Sequence, residues 1–338
     1  MTPDCAIVGA GVSGLLAARG LAEAGLEVLV LEAAPEPGGR LATRRLDGAI
    51  LDTGAQFFTV RSERFAGIVR GWLESGVAAE WSRGWADASG RYEPDGHPRY
   101  RAAGGMARLA AHLARGLPVR CGCGVLSAAP REGGWELRLA GGGVLRARSL
   151  LLTPPAPEAR RIPEPGSLPE GAERELAGIA YDPCLALLVL LDDGPPVVPE
   201  PGGMQVRSEA VDWISDNRRK GISPRHALTV HASPRFSREN YAAPEGEAAG
   251  TLLRAAGEAL GTDLRPRLRA HRLKRWPHSW VARGHPGPAL LARRDPPLLF
   301  CGDAFRGARI EGAALSGLGA AEEILRLLSR DTRGLGVK

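Results

Sequence analysis

At 338 residues the chain is about two domains long at the usual ~150 residues each, enough to bury a core without disulfides or metals. Its 45 glycines and 27 prolines make up about a fifth of the total, against an average share of roughly 12%, yet 44% hydrophobic content excludes a disordered low-complexity chain. Net charge is +6 with acids interspersed among the bases, so neither a basic stripe nor a nucleic-acid partner is expected.

Of the 44 basic residues only Lys220, Lys274 and Lys338 are lysines. The arginine surplus suits anionic ligands, whose paired oxygens match the guanidinium fork, and it suits a GC-rich genome equally. The five cysteines, Cys5, Cys121, Cys123, Cys184 and Cys301, are odd in number and scattered. An apolar run begins directly after Asp4, so no signal peptide is expected. The longest uncharged stretch, Cys5 to Ala18, is 14 residues and broken by glycine, too short to span a bilayer. A reduced, cytoplasmic setting is the expectation. Cys121-Gly122-Cys123 lacks a second ligand pair at zinc spacing, so no metal site is expected.

In chain order, Cys5-Ala6-Ile7-Val8 reads as a short strand, Leu15 to Ala24 as a helix ended by Gly25, and Glu27 to Glu32 as a second strand. Between the first two lies Gly9-Ala10-Gly11-Val12-Ser13-Gly14. Gly9 permits the tight turn, Gly11 the close approach of a pyrophosphate, and Gly14 the packing of helix on strand. The helix start then offers free N–H groups and partial positive charge to the phosphates. Glu32 follows 18 residues after Gly14, placed to accept both ribose hydroxyls. An acid there repels a 2′-phosphate, so FAD or NAD is favoured over NADP as the tightly held nucleotide.

Pro37-Gly38-Gly39-Arg40 is either a plain loop or a close approach to a second ligand segment, with Arg40 neutralising phosphate. Asp47-Gly48 signals a hairpin. Residues 61–100 are rich in Trp and Arg, and Gly104-Gly105 opens a helix through Leu113. Val119–Val125, Trp135–Leu139 and Val144–Leu152 read as strands, stopped by Thr153-Pro154-Pro155. The Pro- and Glu-rich stretch from Ala156 to Gly171 reads as a crossing between domains. Leu185–Leu191, Val211–Ser215 and Ala227–His231 form a second set of strands, with a helix from about Glu245 to Leu260. Leu298–Cys301 is a last strand, Gly302-Asp303 a turn and Gly312–Leu328 a closing helix. No period of 20 to 50 residues recurs.

Taken together, Gly9–Gly14, Glu32, Gly38-Gly39-Arg40, Asp52-Thr53-Gly54-Ala55-Gln56 and Cys301-Gly302-Asp303 with Glu311-Gly312-Ala313 resemble the FAD-dependent amine oxidase superfamily. Within it the chain resembles the renalase branch and its bacterial relatives more than the monoamine oxidases. The segments that carry this are Leu51–Thr59, Asp212–Lys220, Arg275–Ser279 and Cys301–Gly317; at Pro277, Trp280 and Arg306–Arg309 the chain departs from those relatives. The fold implied is α/β: a discontinuous Rossmann-like FAD-binding domain (1–60, 101–155 and 288–330) with an inserted sheet-rich α+β substrate domain (61–100 and 156–287).

The resemblance places Gly9, Gly11, Ser13, Gly14, Glu32 and Gly39 on the nucleotide, Val125 beside the adenine through its backbone, and Thr153 near the phosphates. It places Arg40 and Gln56 by the isoalloxazine and Asp303, after Gly302, at the ribityl or pyrophosphate end. Glu311, Gly312 and Ala313 would form the helix start facing the flavin pyrimidine edge, where positive dipole favours reduction. No cysteine lies between Trp280 and Pro297, so FAD is expected to be non-covalent.

The renalase-like activity implied is oxidation of 2- or 6-dihydro isomers of NAD(P), an anionic substrate, with O2 as acceptor. Hydride loss leaves an aromatic product, so the protein chiefly stacks and orients the ring. Trp213, Asn217, Trp276 and His278 are the candidate catalytic residues, with Arg218, Arg219 or Arg61 for the anionic end. Each has a structural reading beside it: the tryptophans as core, His278 as a hydrogen-bonded residue, Arg218-Arg219-Lys220 as a solvated turn. Lys274 is a candidate for holding a water near the flavin. Oxidation of a small organic amine, or a non-enzymatic redox-sensing flavoprotein, are the alternatives.

Overall fold

Cys5–Val8 is buried at every position and forms a central strand of a six-stranded sheet, seen in a computed structural model that describes residues 2–87 and 89–334. Ile7 sits opposite Val30 on one side and Leu151 on the other. The order is Leu290–Arg294, Pro297–Phe300, Ser149–Leu152, Cys5–Val8, Val28–Leu31, Val119–Arg120, parallel throughout except for the first. Four-residue strands that are apolar at every position suit a sheet covered on both faces. The helices Val12–Glu23 and Arg309–Gly334 pack on one another: a Cβ at Gly20 would reach Ala321 at 3.7 Å, and one at Gly317 would strike the Ser13 carbonyl at 2.1 Å. Only bare backbone at 317 permits that approach.

Two compact units divide the chain. The first is Met1–Gly39, Ala110–Ala180 and Val281–Lys338, and also holds the antiparallel sheet Val125–Arg131, Gly134–Leu139, Val144–Ala147. The second is Arg40–Leu109 and Tyr181–Trp280. Residues 40–60 and 101–109 therefore pack in the second unit, and 156–180 and 281–287 in the first.

The second unit is built on a seven-stranded sheet ordered Leu268–Arg283, Ala180–Leu191, Ala227–Ala232, Val211–Asp216, Gly203–Gln205, Ala78–Ala86, Tyr92–Ala102. Strand alternation in Ala180–Leu191 serves two cores. Leu185, Leu187, Val189 and Leu191 pack with Ala248, Leu252 and Ala256 of the helix Glu245–Ala259. Leu188 and Leu190 turn to Ala49 and Leu51 of the hairpin Thr43–Leu46/Ala49–Asp52. Each such leucine contributes roughly 1.5–3 kcal/mol by leaving water. Asp47 and Gly48 adopt φ +45° and +83°, the pair of left-handed residues that the tight turn requires.

Two expected strands are corrected. Val144–Leu152 is two strands split at Arg148: Val144–Ala147 pairs antiparallel with Gly134–Leu139, and Ser149–Leu152 pairs in parallel with Cys5–Val8. Val119–Val125 breaks at Cys121 because Gly122 and Cys123 donate instead to the Ala34 and Glu32 carbonyls. Among the described residues no helix is long and apolar enough to cross a membrane.

Gly317→Ala is expected to lower unfolding free energy by about 1–3 kcal/mol through the clash with Ser13. Gly250→Ala, exposed in mid-helix with nothing near its Cβ, is expected to raise it by about 0.5–1 kcal/mol. Urea midpoints of both variants check the pair.

Candidate functional site

The first unit gathers the nucleotide groups at one end of its parallel sheet. Gly9 adopts φ +102°, and a Cβ there would meet the Thr153 hydroxyl at 2.4 Å; one at Gly14 would strike the Gly9 carbonyl at 2.1 Å. Gly11 is different, with open space before it, and no side chain caps the helix it begins. An uncapped helix start facing open space is a cradle for phosphate oxygens. Glu32 is buried and anchored, its two oxygens accepting from the N–H groups of Ala10 (2.7 Å) and Ala34 (2.8 Å). Each oxygen keeps a lone pair for a ribose hydroxyl. Val125 begins the strand that follows Cys123, whose N–H donates to the Glu32 carbonyl at 2.8 Å. Gly39, at φ +53°, lies by Gly11, and Gly38 donates to the Ala10 carbonyl at 2.9 Å.

Some expected ligands have other contacts in the fold. Thr153 donates its hydroxyl to the Val8 and Gly9 carbonyls (2.9 and 3.2 Å). Ser13 turns its hydroxyl to the Cys301 sulfur at 3.2 Å, leaving its backbone for a ligand. Gly302 donates to Ser316 Oγ at 2.9 Å, which sets Asp303 half-buried just beyond. At Gly312 a Cβ would fall 1.7 Å from the Gly307 carbonyl, so glycine alone lets the 303–309 loop fold onto the start of the closing helix, beside Glu311 and Ala313.

The second unit holds a dry polar network. Lys220 and Asp52 have no exposed side-chain surface, and Lys220 Nζ lies 2.7 Å from Asp52 Oδ2. Asp216 delivers the lysine by closing the turn: its Oδ1 accepts from the N–H groups of Arg218 and Arg219 at 2.9 and 3.2 Å, and its carbonyl from Lys220 N at 2.8 Å. Burial lowers the Lys220 pKa from its ordinary value while Asp52 opposes the shift. Asp52 Oδ1 accepts from Thr43 Oγ1 (2.6 Å) and Met106 N (2.7 Å). Gln56 donates to the Asp52 and Gly54 carbonyls and accepts from Ser215 at 2.7 Å. Asn217 receives Asp52 N at 3.3 Å and donates to Thr229 Oγ1 and the Ala227 carbonyl, so it braces the network rather than lining a pocket. His231 reaches the Thr53 carbonyl at 3.3 Å, and burial pushes its pKa down to about 4, so its ring is neutral and donates from Nε2.

Above this network the rings of Phe57, Trp81, Trp85 and Trp213 pack with centroids 4.8–6.5 Å apart. Trp213 is a core member of that wall, its buried indole N–H without an acceptor among the described residues. Trp276, half-buried, donates to the Thr53 carbonyl at 2.9 Å, with Lys274 Nζ 4.5 Å from its ring centroid. Burial, then the Arg44 charge, lowers the Lys274 pKa. Arg40 donates to the His278 carbonyl at 3.2 Å, and His278 rests on Tyr181 with centroids 5.5 Å apart. Arg218 faces Asp193 at 3.7 Å, Arg219 pairs with Glu200, and Arg61 is exposed. Asp52 and Lys220 enter the sequence reading only as members of motif segments, Lys220 beside a solvated-turn reading that its complete burial corrects, and His231 only as the end of a strand; the available signal is the rarity of lysine, since two of the chain's three fall here.

A family model of NAD(P)-binding Rossmann-like domains matches residues 7–71, and the model described as flavin containing amine oxidoreductase matches residues 61–325. The chain belongs to the flavin containing amine oxidoreductase family. Among similar proteins, putrescine oxidase of Kocuria rosea is 48% identical over 56 residues, 17% of this chain and 12% of that protein. L-amino acid dehydrogenase of Synechocystis sp. is 42% identical over 67 residues, 20% of this chain and 14% of that protein. The matched stretch thus spans a small part of these relatives. Putrescine oxidase bound to putrescine superposes with TM-score 0.75 at 18% identity, covering 96% of this chain and 99% of that one. A putative protoporphyrinogen oxidase from Exiguobacterium sp. gives 0.75 at 15%, covering 95% and 98%. The shared fold is that of the flavin oxidoreductases, and the open cradle at Gly11 with its anchored Glu32 fits the family's FAD.

Removing one partner of the buried pair leaves a charge without compensation, so Lys220→Met is expected to cost about 3–5 kcal/mol of stability by urea unfolding. Adding Asp52→Asn should cost less than the sum of the two single changes. His231 protonates on unfolding but stays neutral when folded, so stability is full above about pH 6.5 and falls as pH drops toward 4. Up to about 3 kcal/mol of that fall should vanish in His231→Gln.

Proposed function

We propose that the chain is an FAD-dependent oxidase of the renalase kind, taking a hydride from the 2- or 6-dihydro isomers of NAD(P). The first unit holds FAD and the second receives the substrate. The balance is dihydroNAD(P) with O2 and one proton giving NAD(P)+ and H2O2. FAD, when bound, supplies the hydride acceptor and the route of two electrons to oxygen.

One observation in the second unit supports the anionic substrate. Four rings each carry a cation of the protein's own: Arg40 over Tyr181 (5.7 Å), Lys220 over Trp81 (5.0 Å), Arg99 over Trp85 (5.8 Å) and Lys274 over Trp276 (4.5 Å). Ring faces are what an amine site offers to an ammonium group. Here they are engaged; Lys220 and Arg99 are themselves neutralised by Asp52 and Asp95, and a substrate ammonium about 7 Å from Lys274 is repelled by roughly 2 kcal/mol at an effective dielectric of ~20. A dinucleotide pyrophosphate gains where the ammonium loses.

The chemistry asks this chain to bind and orient, since loss of hydride makes the nicotinamide ring aromatic with no further proton to remove. Trp276, fixed through Thr53, and His278, seated on Tyr181, are the proposed pocket surfaces. Trp213 sets the aromatic wall, and Asn217 is a positioning residue acting through Asp52. Gly9, Gly11, Ser13, Gly14, Glu32, Gly39, Val125, Thr153, Gly302, Asp303, Glu311, Gly312 and Ala313 are the proposed FAD contacts of the first unit. Cys301 is buried against Ser13 with its thiol pushed up to about 12, so it supplies no thiolate to tether a flavin. Oxidation of a small organic amine is the second reading, favoured by the family model and by the putrescine oxidase match.

Anaerobic mixing of the holoprotein with 6-dihydroNAD, 2-dihydroNADP and putrescine separates the readings. Bleaching of the visible flavin band by the dihydro isomers and not by putrescine is the expected result. Bleaching by putrescine alone supports the amine reading, and bleaching by none of them points to a non-enzymatic flavoprotein. Acid precipitation is expected to release all FAD into the supernatant.

A further inference from the structure

Arg101 lies at the end of the strand Tyr92–Ala102, half-buried, and its guanidinium makes no hydrogen bond or ion pair among the described residues. Asp52 is the carboxylate that acts on it, and Asp52 is fully engaged: Lys220 holds one oxygen, Thr43 and Met106 the other. Lys220 in turn acts on Arg101 as a like charge. Two cations therefore share one carboxylate, and one positive charge stays uncompensated in a partly dry place. Burial lowers the Arg101 pKa, the direction expected of a cation short of solvent.

On one side the guanidinium is met by bare backbone rather than by a side chain. A Cβ at Gly221 would come within 3.1 Å of an Arg101 nitrogen, and Gly221 sits at φ +76°, in the turn that ends the Asp216–Lys220 segment. A side chain at 221 would press on the guanidinium, and glycine avoids that contact. Arg218 and Arg219, two of the residues expected at the anionic end, face Asp193 and Glu200 instead. A half-dehydrated guanidinium with no partner costs stability unless a ligand supplies paired oxygens, which its planar fork accepts two at a time.

We propose that Arg101 is an anion subsite, taking the carboxylate or phosphate oxygens of a ligand bound to the second unit. The inference rests on the reading above only in taking the ligand to be anionic.

The test uses the holoprotein, titrated with nicotinate and nicotinamide, two rings of one shape that differ in charge, and read by flavin absorbance and tryptophan fluorescence. Nicotinate is expected to bind at least about tenfold more tightly, the share of one charge-assisted pair. Arg101→Gln should abolish the preference, and Arg101→Lys should keep part of it. Arg101→Gln should also raise Tm, because an uncompensated charge is removed, whereas a purely structural arginine would lower it. Inorganic phosphate that displaces nicotinate marks the subsite as open to phosphates, and failure to displace it marks a carboxylate site; both support the subsite. Equal affinities in the wild type, an unchanged preference in Arg101→Gln, or a lowered Tm would overturn it. Reduction by dihydro isomers without a nicotinate preference defeats the subsite alone. A nicotinate preference without that reduction defeats the functional reading and leaves the subsite standing.

Discussion

A lysine and an aspartate with no exposed surface can hold their charges only by facing each other, and in the second unit that requirement draws distant parts of the chain to one point. Asp52 binds Lys220 through one oxygen and, through the other, Thr43 and the N–H of Met106. Residues 43, 52, 106 and 220 are thereby pinned by a single carboxylate. Gln56, Ser215, Asn217 and Thr229 then satisfy the remaining polar atoms around it. A network satisfied in this way specifies one arrangement, whereas one missing member would leave a buried group unpaired. Lys220 also lies over the Trp81 face, which joins this anchor to the packed rings of Trp81, Trp85, Phe57 and Trp213.

The parts of the fold legible from sequence were those with a local cause. The glycines at 9 and 14 announce a strand–turn–helix because the backbone there admits nothing larger, Gly11 between them leaves the helix start open, and the apolar tetrapeptides around them announce a covered parallel sheet. Asp47-Gly48 marks its hairpin for the same reason. The long strands Ala78–Ala86, Tyr92–Ala102 and Leu268–Arg283 left no comparable trace. They mix charged, aromatic and small residues without a clean alternation, and their register is set by partners far along the chain. The split at Arg148 was hidden likewise, because one continuous β-favouring run serves two different sheets.

At the site the same division holds. Glu32 and Gly312 act through backbone-level constraints and could be named in advance. Asn217 and Trp213 were found in the sequence, but their positions in the fold make them a brace and a wall. In sequence Lys220 reads with its neighbours as a solvated turn of three basic residues, and the other two do face acids. Nothing local distinguishes the third; its burial follows from the turn that Asp216 closes and from a carboxylate 168 residues away.

The interleaving of the two units bears on how the chain is made. Ser149–Leu152 pairs with Cys5–Val8 on one side, but its other neighbour, Pro297–Phe300, emerges from the ribosome about 145 residues later. Until then a strand with three successive leucines presents an open edge, the template for unwanted pairing that native sheets avoid. The second unit's sheet likewise waits for Leu268–Arg283. Nascent chains of this design spend most of synthesis with both sheets incomplete, so their yield in a cell is expected to respond to chaperone supply and translation speed as well as to the stability of the finished fold.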